Sequence, residues 1–317
     1  MASRRLRGEL SEFVADVFGS LPRRDQRRWG ECYLRVLMLD GRRKSVQPMA
    51  ERLPDGNMQA LQQFLNQSPW DPLPVRRRIA GRLSEVIMPE VWVVDDESFP
   101  KCGTASVWAA RQYCGAVGKR ANCQVAVSVH AATDTASCPL EWQLHLPREW
   151  TNEPDRCRTA PRAVSVLAAE AGAGRFTEVT WRRGSKGTMA SRFAVLTVRP
   201  AGKQPLAAAQ EAGGGRNRWD GVLPTPTLLV EWPEGEDAPT GYWIFNLPAT
   251  TPVADLVRWA KMRRRTEHDY REIKHGLGLD HFDGRTWRGW HHHVTLVTAA
   301  QAFLAPRRLD PKAHTPA

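Results

Sequence analysis

The periodicity of apolar residues changes twice along this 317-residue chain, and those two changes limit its fold more than any other feature. Up to about residue 88, apolar side chains recur at three- and four-residue spacing. Leu10, Phe13, Val14, Val17 and Phe18 form one stripe, which Gly19-Ser20-Leu21-Pro22 ends. Trp29, Tyr33, Val36 and Leu37 form a second, opened by Arg23, Arg24, Arg27 and Arg28. Met58, Leu61, Phe64 and Leu65 form a third, and residues 75–87 carry a fourth. From Val91 the period shortens. Val91-Trp92-Val93-Val94 is a continuous apolar run, which predicts a buried strand ending at Asp95-Asp96. Residues 123–129 alternate, 140–146 do so more weakly, and further strands are expected over 176–181, 193–198, 227–231 and 242–246. Helical spacing resumes after Thr250-Thr251-Pro252, with Val253, Leu256, Val257 and Ala260 as its stripe. Helices, then strands, then helices predict an α/β protein.

The late helix carries the densest charge. Residues 263–274 hold no Pro or Gly, and Gly276 and Gly278 supply the stop. At about 100° per residue, Arg263, Glu267, Tyr270, Arg271 and Lys274 share one face. Such a face is either solvated and laced with i,i+4 pairs, or an acid that holds a metal ion beside cations kept for phosphates. Asp95 and Asp96 present the same choice. They are solvated loop acids, or ligands at a rigid strand end.

Charge favours a polyanionic partner. Lys and Arg number 45 against 34 Asp and Glu, a net charge of +11. The arginines of the helical region and Arg42-Arg43-Lys44 are candidates for phosphate contact, as is the turn Arg182-Arg183-Gly184-Ser185-Lys186-Gly187. No apolar run is long enough for a membrane span, and no apolar signal core follows the basic residues 1–7, which argues against secretion. The six cysteines show no metal-ligand spacing and read as reduced thiols of a cytoplasmic protein. No P-loop, GxSxG, HExxH or dinucleotide fingerprint occurs. The triplet His291-His292-His293 reads as structural, because adjacent helical residues point in different directions.

Longer motifs carry a resemblance. They include Gln-Gln-Phe-Leu-Asn-Gln-Ser-Pro-Trp (62–70), Val-Trp-Val-Val-Asp-Asp-Glu-Ser-Phe-Pro-Lys (91–101) and Gly-Lys-Arg-Ala-Asn-Cys-Gln-Val-Ala-Val-Ser (118–128). Leu-Pro-Arg-Glu-Trp (146–150), Glu-His-Asp-Tyr-Arg-Glu-Ile-Lys-His-Gly (267–276) and Trp-Arg-Gly-Trp-His-His-His (287–293) extend the set. In these the chain resembles the DDE transposases of bacterial insertion sequences, in the branch common in actinobacteria.

The resemblance implies a ribonuclease-H-like catalytic core, an N-terminal helical domain and an all-β insertion before the last catalytic helix. It places the helical DNA-binding domain at 1–89, the first part of the core at 90–160, the insertion at 161–250, the closing helices at 251–305 and a disordered tail at 306–317. It implies Mg²⁺ or Mn²⁺ held by carboxylates, and double-stranded DNA as substrate, bound at terminal inverted repeats by a homodimer. Asp95 takes the place of the first acid, with Asp96 the alternative, and Glu97 replaces a usual Thr. Arg263, Glu267 and Lys274 match the family's Tyr-Arg-Glu-Lys helix, although Ala260 stands where its Tyr is expected. With these go Arg271 and Lys101 as DNA contacts. The family's second Asp, in an Asp-Ala-Gly-Tyr-like motif after the Leu-Pro-Arg-Glu-Trp segment, has no counterpart. Asp134 and Asp155 are the only Asp residues between Asp96 and Glu170, and neither follows an apolar strand run. The core is therefore expected to be incomplete and the copy to cleave DNA weakly or not at all.

Overall fold

The computed structural model describes residues 2–39, 41, 43–53, 56–103, 105–145, 147, 163–184, 187–198 and 225–309. These form a mixed α/β structure in two compact units. One comprises Met1–Asn152 with Met262–Ala317, and the other Glu153–Lys261.

The first unit opens with five helices: α1 (Ala2–Val17), α2 (Arg24–Met38), α3 (Val46–Glu51), α4 (Met58–Asn66) and α5 (Pro72–Ile87). Their ends follow local chemistry. Asn57 accepts from the Ala60 N–H at 2.9 Å to cap α4. Asp71 does the same for α5 through the Leu73 N–H, and Pro72 fills the first turn, where no N–H is needed. Strands β1 (Val91–Pro100), β2 (Ala110–Cys114), β3 (Lys119–Ala132) and β4 (Ser137–Leu144) follow. All pairings are antiparallel. β1 runs along one edge of β3, while β2 and β4 pair successive stretches of its other edge. The helices share one core with this sheet, from Phe13 and Leu37 through Ala126 and Trp142 to Val297, so residues 1–89 have no separate core.

In the second unit, β5 (Thr177–Gly184), β6 (Gly187–Thr197), β7 (Thr227–Trp232) and β8 (Gly241–Phe245) form an antiparallel meander. Side chains alternate between its faces. Leu228 and Val230 pack with Ala168 of helix α6 (Val164–Ala171), so the segment expected to be all-β also contains a helix. Leu229, Val179 and Phe193 pack with Leu256, Val257 and Ala260. Those three belong to α7 (Val253–Leu277), whose remaining residues, from Met262, count to the first unit. Gly278, at φ 67°, ends α7 in the left-handed region, as the glycine spacing predicts, and a Cβ there would collide with Lys44.

The last helix, α8 (Trp287–Leu309), is buried at every residue from Gly289 to Phe303. A helix buried on every side belongs at the centre of a core, and the polar side chains it carries there need partners. It runs past Pro306 to Leu309, so residues 306–309, expected in a disordered tail, are helical. The histidine triplet sits on it with a separate partner for each ring. His291 Nδ1 lies 3.0 Å from Arg76, both nitrogens of His292 lie 2.8 Å from the Leu65 and Trp70 carbonyls, and His293 Nδ1 lies 2.9 Å from the Tyr33 hydroxyl.

Candidate functional site

β1 continues six residues beyond the expected boundary, so Asp95 stands in mid-strand rather than at a strand end. Its partner across β3 is Ser128, and that of Glu97 is Ala126. Strand alternation puts Asp95 and Glu97 on one face, and Trp92, Val94 and Asp96 on the other. Those last three are exposed, so β1 is half-covered, not buried on both faces as its apolar run suggested. Asp96 consequently does not share a site with Asp95.

The first face lies under the second half of α7. Tyr270 is buried and its hydroxyl meets Ser128 Oγ at 2.5 Å. Burial pushes the Tyr270 phenol far above its ordinary pKa, with the charges of Asp95, Glu97 and Asp96 adding to the effect. Asp95 is only 8% exposed. Its Oδ1 accepts from the Asp96 N–H at 3.0 Å and faces Arg263 Nη2 at 3.0 Å, and its Oδ2 accepts from Thr266 Oγ1 at 3.3 Å. Glu97 is matched in the same way, by Lys274 Nζ at 2.8 Å. The two strand acids therefore face two cations from one helix. A solvated Arg263–Lys274 stripe, the simplest reading of the sequence, does not form. The stripe straddles the line between packed and solvated sides, so Tyr270 and Lys274 turn inward while Glu267 and Arg271 stay out.

Glu267 follows Thr266 directly, is exposed, and has no hydrogen bond or ion pair to a described residue. Around it the outward side of α7 carries Arg264, Arg271 and His275, all exposed. Arg264 and His275 were missed in the sequence, although their spacing to Arg271 is helical. Arg43 and Arg182 are exposed too. Lys101 is not free: its ammonium donates to the Phe282 carbonyl at 3.3 Å, and burial lowers its pKa. Lys44 is buried and donates to the carbonyls of Leu37 and Leu39, so it does not reach a surface phosphate. Arg42, Lys186, Asp155 and the Arg183 side chain lie outside the described residues.

Two further acidic features fall nearby in sequence. Asp134 sits in the β3–β4 turn, beyond the end of β3, and its carbonyl accepts from Arg265 Nε at 2.7 Å. His268, Asp269 and Glu272 bring ligand atoms within 4.8 Å of one another, but Asp269 is buried and accepts from Ser137 Oγ. A separate pocket of about 270 Å³, lined by Phe13, Leu83 and Phe303, includes none of the strand acids.

A family model described as DDE superfamily endonuclease matches residues 16–162. Over this stretch, a little under half of its length, the chain is similar to the DDE superfamily endonucleases. Over 138 residues it is 31% identical to a probable transposase for insertion sequence element IS701 of Microchaete diplosiphon, which covers 43% of this chain. The chain spans about a third of that relative's length, 36%. The family match takes in β1, Asp95 and Glu97 but ends before α7, so Arg263, Glu267 and Lys274 fall outside it.

DDE endonucleases work with divalent metal ions. The donor chemistry of these residues fits a hard divalent cation, since Asp95, Glu97 and Glu267 offer carboxylate oxygens. The surroundings are less open, because Arg263 and Lys274 already balance the two strand acids. No helix among the described residues is long and apolar enough to cross a membrane.

Proposed function

We propose that this chain is an insertion-sequence transposase that binds the terminal inverted repeats of its element as a homodimer in the cytoplasm, and that this copy is defective in cleavage. The observation that carries the reading is Asp95. It is nearly buried in mid-strand, inside the family match, and turned toward a strongly basic helix. The sheet order, with β3 between β1 and β4, suits the antiparallel half of a ribonuclease-H-like core, and the second unit suits an insertion within it. Asp95 and Glu267 would hold Mg²⁺ or Mn²⁺, which when bound activates water or a 3′-hydroxyl for attack on a phosphodiester.

The chain's own residues divide the remaining work. Thr266 and the Asp96 N–H fix the Asp95 carboxylate, and Lys274 fixes Glu97. Arg264 and Arg271 on α7, with Arg43 and Arg182 elsewhere, are the exposed cations suited to phosphates. The cleavage defect follows from the missing second Asp, since Asp134 lies in the β3–β4 turn, outside the strand that pairs with Asp95. Binding to labelled end fragments, followed by incubation with Mg²⁺ or Mn²⁺, tests both parts. Salt-sensitive binding without nicking is expected, and efficient nicking or joining would refute the defect.

The Arg263–Asp95 pair favours a second reading, in which the chain is a non-catalytic DNA-binding relic or an inhibitor of an intact transposase. In that case it would lower the activity of an intact sibling enzyme in a mixed reaction.

A further inference from the structure

We infer that Arg263 is a built-in competitor of the divalent cation, holding the counter-ion place at Asp95 so that an ion can bind there only by displacing the guanidinium. The inference rests on the reading of Asp95 as a metal-holding acid. Three features of the geometry support it. Arg263 Nη2 stands 3.0 Å from Asp95 Oδ1, the oxygen that also accepts the Asp96 N–H, and Thr266 takes Oδ2. Oδ1 is thus paired in charge and hydrogen-bonded without an ion, while the Thr266 hydroxyl at Oδ2 is shared with the Arg263 carbonyl at 2.6 Å.

The two ends of the pair are also unequal. The Asp95 side chain is 6% exposed and that of Arg263 is 44% exposed. The carboxylate is fixed by the strand, while the guanidinium sits on a long side chain with an open way out to solvent. The neighbouring pair differs, since Lys274 and Glu97 are 18% and 16% exposed and Lys274 also lies over the Phe99 ring at 5.5 Å. Lys274 is therefore a fixed counter-ion and Arg263 an exchangeable one. Glu267, one helical turn beyond Arg263 and exposed, is at the i,i+4 spacing from which it could pair with the released guanidinium.

The test is a Mn²⁺ titration of the full chain, followed by the loss of the free-ion paramagnetic resonance signal. Arg263→Gln should bind Mn²⁺ about tenfold more tightly than the parent. Arg263→Lys, which keeps the charge, should bind as the parent does. Adding Asp95→Asn to Arg263→Gln should remove the gain. Arg263→Met serves if Arg263→Gln does not melt cooperatively. Equal or weaker binding by Arg263→Gln, with Asp95→Asn still lowering uptake, overturns the competitor role and leaves Asp95 as a metal acid. Uptake indifferent to Asp95→Asn, or no uptake by any variant, overturns the metal-site reading and the competitor role with it. A gain in Arg263→Lys equal to that in Arg263→Gln also overturns the proposal, because space rather than charge would then be at issue.

Discussion

The two compact units treat buried polarity in opposite ways. The first threads it through its core. Arg76 reaches Thr295, Glu141, the Trp142 carbonyl and His291, and the three histidines of α8 each hold different partners. Among the described residues of the second, the buried ion pair is local: Lys261 Nζ lies 2.7 Å from both Glu231 oxygens and stands over Trp181 at 4.3 Å, with Phe193 and Trp243 at 5.3 Å. A dispersed network fixes where α8 sits but exposes the unit to titration. The second unit's stretch of sequence carries no histidine. All nine histidines lie in the first unit's stretches of sequence.

Acid should separate the units most strongly. Burial is the main cause holding His291 at about 3, and His292 and His293 at about 4, each lowered from 6.5. Between those values and 6.5 the unfolded chain binds protons that the folded one does not. Stability is therefore full above pH 6.5 and falls as pH drops toward 4. A melt of the first unit on the order of 10 °C lower at pH 4.5 than at pH 7.5 is expected, with the second unit nearly unmoved. Calorimetry across that range would break the comparison if both transitions shifted together.

Lys261→Ala comes next in size. It strands the buried Glu231 carboxylate without its counter-ion, and a loss of about 3 kcal/mol is expected in the second unit's stability, read by chemical denaturation. A loss near zero would mean that the cage does not desolvate the pair. Lys274→Ala removes the fixed counter-ion of Glu97 and should cost about 2 kcal/mol in the first unit, read by chemical denaturation. Arg263→Gln should cost under about 1 kcal/mol, because its guanidinium is half-exposed. A cost as large as that of Lys274→Ala would erase the difference between fixed and exchangeable cations. Smallest of all, Glu267→Gln should leave thermal stability unchanged, since the side chain is exposed.

Much of the architecture was legible in the chain, for local reasons. The hairpin turn between β5 and β6 is announced by Gly184 and Gly187, which follow a basic pair and flank Ser185-Lys186, and the structure pairs the two glycines. The end of α7 was legible at Gly278, because only the left-handed region closes that turn without a clash. The extent of β1 was not, because Asp95, Asp96 and Glu97 interrupt the apolar pattern while their backbone still pairs with β3. Helix α6 was missed because its Ala-rich sequence shows no periodic contrast.

The candidate site divides the same way. Asp95 and the basic helix stood out in one dimension, as an acid after an apolar run and as a dense charge cluster. Their pairing did not, because it joins residues 168 positions apart, 95 to 263. The sequence by itself determined the succession of helix, strand and helix, the positive charge and the kinship of residues 16–162 with DDE endonucleases. Periodicity, composition and motif spacing are properties of neighbours along the chain. Only the tertiary structure decided that Asp95 turns toward α7 while Asp96 turns away, that Lys44 and Lys101 are spent on carbonyls, and that Arg263 already stands where a cation is wanted. Which face of a strand is covered, and by which charge, depends on packing between distant segments, and that information is not carried by any local stretch.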